Sequence, residues 1–197
     1  GATAFLSNDR ELRRIADLQV WMLADFVERL RGAVPRLRPL LEGMGEDAAH
    51  DQVEGKWSVA QNVGHLSDVE ELWQERLEDL RQGRKTYTAA VGARFQELAK
   101  RHQARSVEVI LAELENRRSR LVDALTRAPA ELQEATAFHE RLQVPMRLVD
   151  CAQFYAEHDD HHLLRIRALR PLVGVGTPSL APSATTPPWI ESISERR

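Results

Sequence analysis

The chain has 197 residues, 43% of them hydrophobic, and its formal net charge at pH 7 is −3. This apolar content excludes an intrinsically disordered protein, and the slightly acidic balance excludes an extended basic surface for nucleic acid. No apolar run is long enough to cross a membrane and no signal peptide is recognisable, so we expect a cytoplasmic protein without a nucleic-acid or membrane partner.

The first predicted element is a long amphipathic helix from Asn8 to Arg31, with Ser7 as its candidate N-cap. Its apolar residues recur at helical spacing: Leu12, Ile15, Ala16, Leu18, Met22, Leu23, Phe26 and Leu30. Pro35 and Pro39 then interrupt the helix, because proline lacks an amide donor. The polar stretch from Gly43 to Gly55 predicts a loop.

A second helix is predicted from Ser58 to a point close to Gly83. The Ser58 hydroxyl can accept a hydrogen bond from the Gln61 amide while the Gln61 side chain reaches back, which is the capping box of a helix start. The apolar stripe of this helix consists of Val59, Val63, Leu66, Val69, Trp73, Leu77 and Leu80. His65 lies on the shoulder of the stripe. The stretch that follows, to Arg101, predicts a loop and then a short helix.

The third predicted helix runs from Ser106 to Thr126. Its apolar face consists of Val107, Ile110, Leu111, Leu114, Leu121, Val122 and Leu125. The middle of this helix is basic, with Arg117, Arg118 and Arg120. We expect these arginines to face solvent, and the alternative is that one of them anchors a ligand.

The fourth predicted helix, from Met146 to Arg170, carries three of the seven histidines. One of its faces consists of Leu148, Cys151, Tyr155, His158, His162, Ile166 and Leu169. His158 and His162 lie one turn apart near the middle of this face, whereas His161 falls at its edge. Two imidazoles one turn apart can bind a single metal ion, or each can be a hydrogen-bonded core histidine.

Four long amphipathic helices without convincing strands or repeats predict an all-α fold, a four-helix bundle with long crossover connections. We expect the bundle over residues 1–170. Residues 171–197 form a Pro-rich C-terminal extension, in which Trp189 is the expected anchor against the bundle or a neighbouring subunit. We also expect a homodimer.

A bundle brings side chains from different helices into one core, so His65 can complete the pair formed by His158 and His162. Three neutral imidazoles leave a divalent ion, zinc or nickel, with one position free for water or a substrate atom. Such an ion lowers the pKa of bound water or holds a thiol as thiolate.

Two distant stretches, KWSVAQNVGHLSD at 56–68 and AEHDDHHL at 156–163, resemble the DinB/YfiT superfamily. The resemblance covers Asp9–Arg170 in helix order and length, and it implies a four-helix bundle with unusual, non-up-down connectivity. It also implies that the metal ligands are His65, His158 and His162, and that His161 is a neighbour of the site.

The acidic residues of the two motifs have less specific roles. Asp68 can orient a ligand histidine or a nearby amide, and its alternative role is that of a surface carboxylate. We expect Glu157, Asp159 and Asp160 to be mostly solvated.

Members of the superfamily include metal-dependent hydrolase-like proteins, S-transferases that use low-molecular-weight thiols, and a thiol-dependent isomerase. The resemblance therefore implies a metal-dependent enzyme that activates water or such a thiol against a small-molecule electrophile. The alternatives are a non-catalytic bundle that binds a metal or ligand, and a structural or dimerisation protein.

Overall fold

The computed structural model describes residues 4–6 and 19–176, with side chains from Met22 onward. The predicted Ser7 cap, the helical segment from Asn8 to Leu18 and the anchor Trp189 lie outside the described residues. So does the Pro-rich extension beyond residue 176.

The bundle consists of four long helical units. The first is α1 (Leu23–Arg31) followed after Gly32 by α2 (Ala33–Leu41), and the short α3 (Glu46–His50) comes next. The other three units are α4 (Val59–Arg81), α6 (Val107–Thr126) and α8 (Leu148–Leu169). Two shorter helices lie in the connections, α5 (Gly92–His102) and α7 (Ala130–Glu134). The predicted four-helix bundle is therefore confirmed.

The first and second helical units follow one another in sequence but are not neighbours in the bundle, and the same holds for the third and fourth. Both α1 and α4 pack against α6 and α8, so α1 lies diagonally opposite α4. A chain that passes from one helix to the diagonal one needs a long connection. The connections that cross the bundle are residues 42–58, between the first and second helical units, and residues 127–147, between the third and fourth. The sequence indicates long connections after the first and second helices, and the one after the second, residues 82–106, joins two adjacent helices.

The start of α4 follows the predicted capping box. The Gln61 amide donates to the Ser58 hydroxyl oxygen at 3.2 Å, and the Ser58 amide donates to Gln61 Oε1 at 2.9 Å. At the start of α8 the Asp150 carboxylate accepts a hydrogen bond from the Arg147 amide at 2.8 Å. These caps fix where each helix begins, and hence which side chains face the bundle interior.

Short strands correct two parts of the sequence prediction. β1 (Ala4–Leu6) pairs in parallel with β2 (Gln19–Trp21), so residues 19–21 are not helical and α1 begins only at Leu23. A hairpin of β3 (Thr136–His139) and β4 (Val144–Arg147) precedes α8. Strands of three or four residues show too few alternations to predict, and Pro145 argues against a strand at that position.

A buried ion-pair network joins all four helical units and corrects the expectation that Arg118 and Asp159 are solvated. Arg118 on α6 donates to Glu70 Oε1 on α4 at 2.8 Å and to the Leu30 carbonyl oxygen on α1 at 2.9 Å. It also donates to Asp159 Oδ2 on α8 at 2.5 Å. Glu157 is exposed as expected, and Asp160 is half-buried between Arg29 and Arg36.

Among the described residues, no helix is both long enough and apolar enough to span a membrane.

Candidate metal centre

Three histidines from two facing helices meet in the bundle. His65 lies on α4, and His158 and His162 lie one turn apart on α8. Their nearest ring nitrogens all lie within 4.8 Å of one another, and His65 Nε2 is 3.2 Å from His158 Nε2. His161 is exposed. The structure thus brings together the three residues that the sequence singled out, and it leaves His161 outside the cluster.

Asn62 orients His162. The Asn62 amide nitrogen donates to the carbonyl oxygens of Ser58 at 2.8 Å and Trp57 at 3.2 Å, which directs its carbonyl oxygen toward the imidazole. His162 Nδ1 lies 2.9 Å from Asn62 Oδ1 and therefore carries the proton. The neutral ring then has its lone pair on Nε2, as a metal ligand requires.

The three imidazoles are neutral at pH 7 because burial disfavours their charged forms. Burial lowers the pKa of His65 to about 4, with the nearby Asp68 acting in the opposite direction. Burial, and next to it the His65 ring, lowers the pKa of His158 to about 3. Burial and the His158 ring lower the pKa of His162 to about 2. Each ring therefore offers a lone pair without first losing a proton.

The donor set fits a divalent ion of the zinc type. Two imidazole nitrogens bound tetrahedrally to one zinc ion at about 2.0–2.1 Å lie about 3.3 Å apart. The 3.2 Å between His65 Nε2 and His158 Nε2 is close to this spacing, and the ligand nitrogen of His162 lies within 4.8 Å of both. Among the described residues, no fourth histidine, cysteine or carboxylate joins the cluster. Three protein ligands without a fourth are typical of catalytic zinc sites and not of structural ones.

Aromatic rings surround the cluster. Trp57 lies edge-on to His65, with centroids 5.0 Å apart, and is stacked on His162 at 6.4 Å. Phe95 from α5 meets the His65 ring at 5.2 Å, and Trp73 meets the His158 ring at 5.6 Å. These rings exclude water from the imidazoles, which accounts for their lowered pKa values.

A small cavity leads to the cluster. It has a volume of about 90 Å³, and His65 and His158 form part of its wall. The remaining wall is mostly apolar or aromatic and includes two arginines: Val69, Leu72, Trp73, Arg76, Ala90, Phe95, His139, Arg141 and Phe154. No carboxylate lines it. A compact ligand can therefore reach the histidines through this cavity. Its two arginines and the lack of a carboxylate favour a neutral or anionic ligand over a cationic one.

Asp68 contacts a histidine outside the cluster. Its Oδ2 lies 2.9 Å from His102 Nε2 on α5, and His102 is almost completely buried. The ring of His102 packs against Gly64, where a Cβ atom would come within 2.2 Å of it. Asp68 thus fastens α5 to α4 beside the site, and in the described part of the chain its carboxylate pairs with His102 and not with His158 or His162.

Sequence reasoning missed several residues around the centre. Asn62 carried a signal, since it precedes His65 by three residues and therefore shares its helix face. His102 carried a weak signal, because it lies seven residues after Phe95 and three after Ala99 on one face of α5. His139 carried none, because it lies on a strand of four residues. Arg76 lies eleven residues after His65, three helical turns along the same face of α4.

Comparisons with known proteins agree with this fold. The DinB superfamily matches residues 29–166, a segment that contains all three histidines. A solved structure of YfiT from Bacillus subtilis is similar with a TM-score of 0.69 and 20% sequence identity, covering 78% of this chain and 89% of that one. That protein is described as "a probable metal-dependent hydrolase with an unusual four-helix bundle topology". No curated protein matches this chain.

Proposed function

Because this chain belongs to the DinB superfamily, we propose that it is a metal-dependent hydrolase whose divalent ion is held by His65, His158 and His162. One observation carries the proposal: three neutral imidazoles from two helices, His162 buried and His65 and His158 largely so, converge without a fourth protein ligand in the described part of the chain. The description of YfiT as a probable metal-dependent hydrolase supports the same reaction class.

The bound ion would supply the nucleophile by lowering the pKa of a coordinated water into the neutral range. The protein's own residues prepare the site for it. Asn62 holds the His162 ring in the tautomer that presents Nε2. Trp57 and Phe95 keep bulk water away from the imidazoles. The cavity beside His65 and His158 admits a small electrophile to the position that the protein leaves open.

Zinc is the metal that we propose first, with nickel second. Three imidazoles and an open position are a common ligand set for catalytic zinc, and imidazole also suits nickel. No thiolate is available to select a softer metal, because the single cysteine, Cys151, is buried on α8 and its pKa is raised by burial to about 11.

A second candidate is a transferase that uses a low-molecular-weight thiol in place of water. The wall of the cavity favours it, since Trp73, Phe95 and Phe154 present aromatic rings next to the open position. Sulfur makes favourable contacts with aromatic rings. The thiol would have to come from a separate molecule, because Cys151 is buried and protonated.

Elemental analysis and rate measurements on one preparation test both candidates. We expect close to one equivalent of metal per chain, removed by a chelator and restored by zinc or nickel. Hydrolysis of a panel of activated esters and amides should follow metal content, and added thiol should accelerate consumption of an electrophile only in the transferase. Full activity in metal-free protein would overturn the proposal, as would a lack of metal binding.

A further inference from the structure

Arg76 is a buried cation without an anionic partner. It lies on α4 and is 2% exposed. Its Nε donates to the Thr88 carbonyl oxygen at 3.1 Å, and its guanidinium carbon lies 5.4 Å from the Trp73 ring centroid. Among the described residues no carboxylate forms an ion pair with it. Asp79, one turn along the helix, is engaged by Arg84 and by the Thr88 amide.

The other buried arginines are compensated. Arg118 has two carboxylates, and Arg170 donates to the carbonyl oxygens of Leu40, Glu42 and Gly176. Leaving a buried charge unpaired costs several kcal/mol. The terminal guanidinium nitrogens of Arg76 have no hydrogen-bond partner in the described structure. They are therefore free to bind an anion from outside the chain.

His139, the last residue of β3, provides a second unused donor beside Arg76. Its Nδ1 accepts a hydrogen bond from the Leu142 amide at 3.3 Å, so the neutral ring carries its proton on Nε2. Nε2 is buried and has no partner. Burial, and next to it the charge of Arg76, lowers the pKa of His139, which keeps the ring neutral and Nε2 a donor.

Both donors face the passage to the metal centre. The cavity of about 90 Å³ beside His65 and His158 and an outer cavity of about 310 Å³ share four wall residues: Arg76, Ala90, His139 and Arg141. Arg141 is exposed, and its guanidinium lies 5.9 Å from the Phe154 ring centroid. Glu140 is the one carboxylate in either wall, and it lines the outer cavity alone.

We propose that Arg76, His139 Nε2 and Arg141 form a subsite for the anionic group of the substrate, a carboxylate or a phosphate. The substrate would place this group between the two cavities and its reactive end toward His65 and His158. The inference rests on the proposed function and narrows it to small anionic electrophiles, with an apolar or aromatic body that fits between Trp73 and Phe154.

Calorimetric titration with three probes of similar shape tests the subsite: benzoate, phenyl phosphate and neutral benzamide. The metal-free protein should bind at least one anion about tenfold or more tightly than benzamide, and comparing the two anions shows which chemistry the subsite takes.

Arg76→Met should abolish the preference for the anion. Arg141→Ala, at an exposed position where a substitution usually changes stability little, should reduce it several-fold. Arg127→Ala, on another exposed arginine, is the matched control and should leave it unchanged.

Equal binding of benzoate, phenyl phosphate and benzamide would overturn the subsite. So would an anion preference that survives in both Arg76→Met and Arg141→Ala, or one that is found only in zinc-loaded protein. The outcome is separable from that of the proposed function. Zinc-dependent hydrolysis without an anion preference would contradict the subsite alone, whereas anion binding by a protein that binds no metal would contradict the proposed function alone.

Discussion

Histidines that are close in the sequence of this protein can have very different surroundings. His161 and His162 are adjacent, yet the first is exposed and the second is buried against Asn62 and Trp57. Because consecutive residues on a helix point about 100° apart, one faces solvent and the other faces α4. The chemistry available at the centre therefore depends on which ring nitrogens are shielded from water and held in a fixed orientation.

Substituting the clustered histidines tests their assignment as ligands. His65→Ala or His158→Ala should each reduce bound metal from near one equivalent to a small fraction, because only two ligands would remain. His161→Ala is the matched control on the same helix and should retain metal. Elemental analysis of the three purified variants measures this. Equal metal loss in the His161 variant would contradict the assignment.

Asn62→Ala tests orientation without removing a ligand. The substitution frees the His162 ring to change tautomer and rotate, and the loss of such a partner typically weakens metal affinity about 10–100-fold. Competition with a chelator of known affinity measures the change. Asn116→Ala, on the exposed face of α6, should leave affinity unaltered. An Asn62 variant with wild-type affinity would show that the hydrogen bond does not position His162.

Helices α4 and α5 pack closely against each other. Gly64 has no side chain, and the ring of His102 occupies the space that a Cβ atom would fill. The pair of Asp68 and His102 then fastens the two helices next to His65. A short helix that is amphipathic but not deeply buried is thereby held against the site.

Gly64→Ala should destabilise the protein by about 1–3 kcal/mol, the usual cost of overpacking. The added methyl would lie 2.2 Å from a buried ring that cannot move freely. Gly92→Ala in α5 is the control, since nothing lies within 4 Å of its Cβ position, and it should be neutral or slightly stabilising. Urea unfolding gives both free energies. Equal stability of the two variants would contradict the close contact.

The buried side chain of Arg118 links all four helical units of the bundle. Arg118→Met removes the shared partner of Glu70 and Asp159 and leaves two buried carboxylates unpaired, which should cost about 3–5 kcal/mol. Arg120→Met, two residues away on the exposed face, should change the free energy of unfolding by less than about 0.5 kcal/mol. A cost below about 1 kcal/mol for Arg118→Met would mean that the network contributes little.

The stability of the metal-free protein should fall as the pH is lowered. Burial lowers the pKa values of His65, His158 and His162 to about 4, 3 and 2, while unfolded histidine has a pKa of about 6.5. Between these values the unfolded chain binds protons that the folded chain does not. The free energy of unfolding therefore decreases by up to about 1.4 kcal/mol per pH unit for each histidine as the pH falls below 6.5.

Urea unfolding of metal-free protein at several pH values from 7 to 5 measures this slope. His158→Leu should give a smaller slope, because one of the three buried bases is removed. A variant with the wild-type slope would show that His158 does not stay neutral in the folded chain.

Local patterns in the sequence were sufficient for α4, α6 and α8 and for placing His158 and His162 on one helix face. The Ser58 capping box and the stripes of α4, α6 and α8 involve residues within a few positions of one another, so they can be recognised without knowing the fold. The family resemblance then linked His65 to the pair on α8. The strand at Gln19–Trp21 and the β3–β4 hairpin were missed because they are too short to show a period.

Only the tertiary structure decided which charged residues are buried and what they contact. Arg118, Glu70 and Asp159 each fall at core spacing on their helices, but the partners are 48 and 41 residues apart. The sequence by itself determined each helix face, because periodicity is a property of neighbouring residues. The pairing of Arg118 with two carboxylates, and the position of Arg76 beside His139, depend on which faces the crossovers bring together. That choice is made by packing the whole chain, and no short stretch of it contains the information.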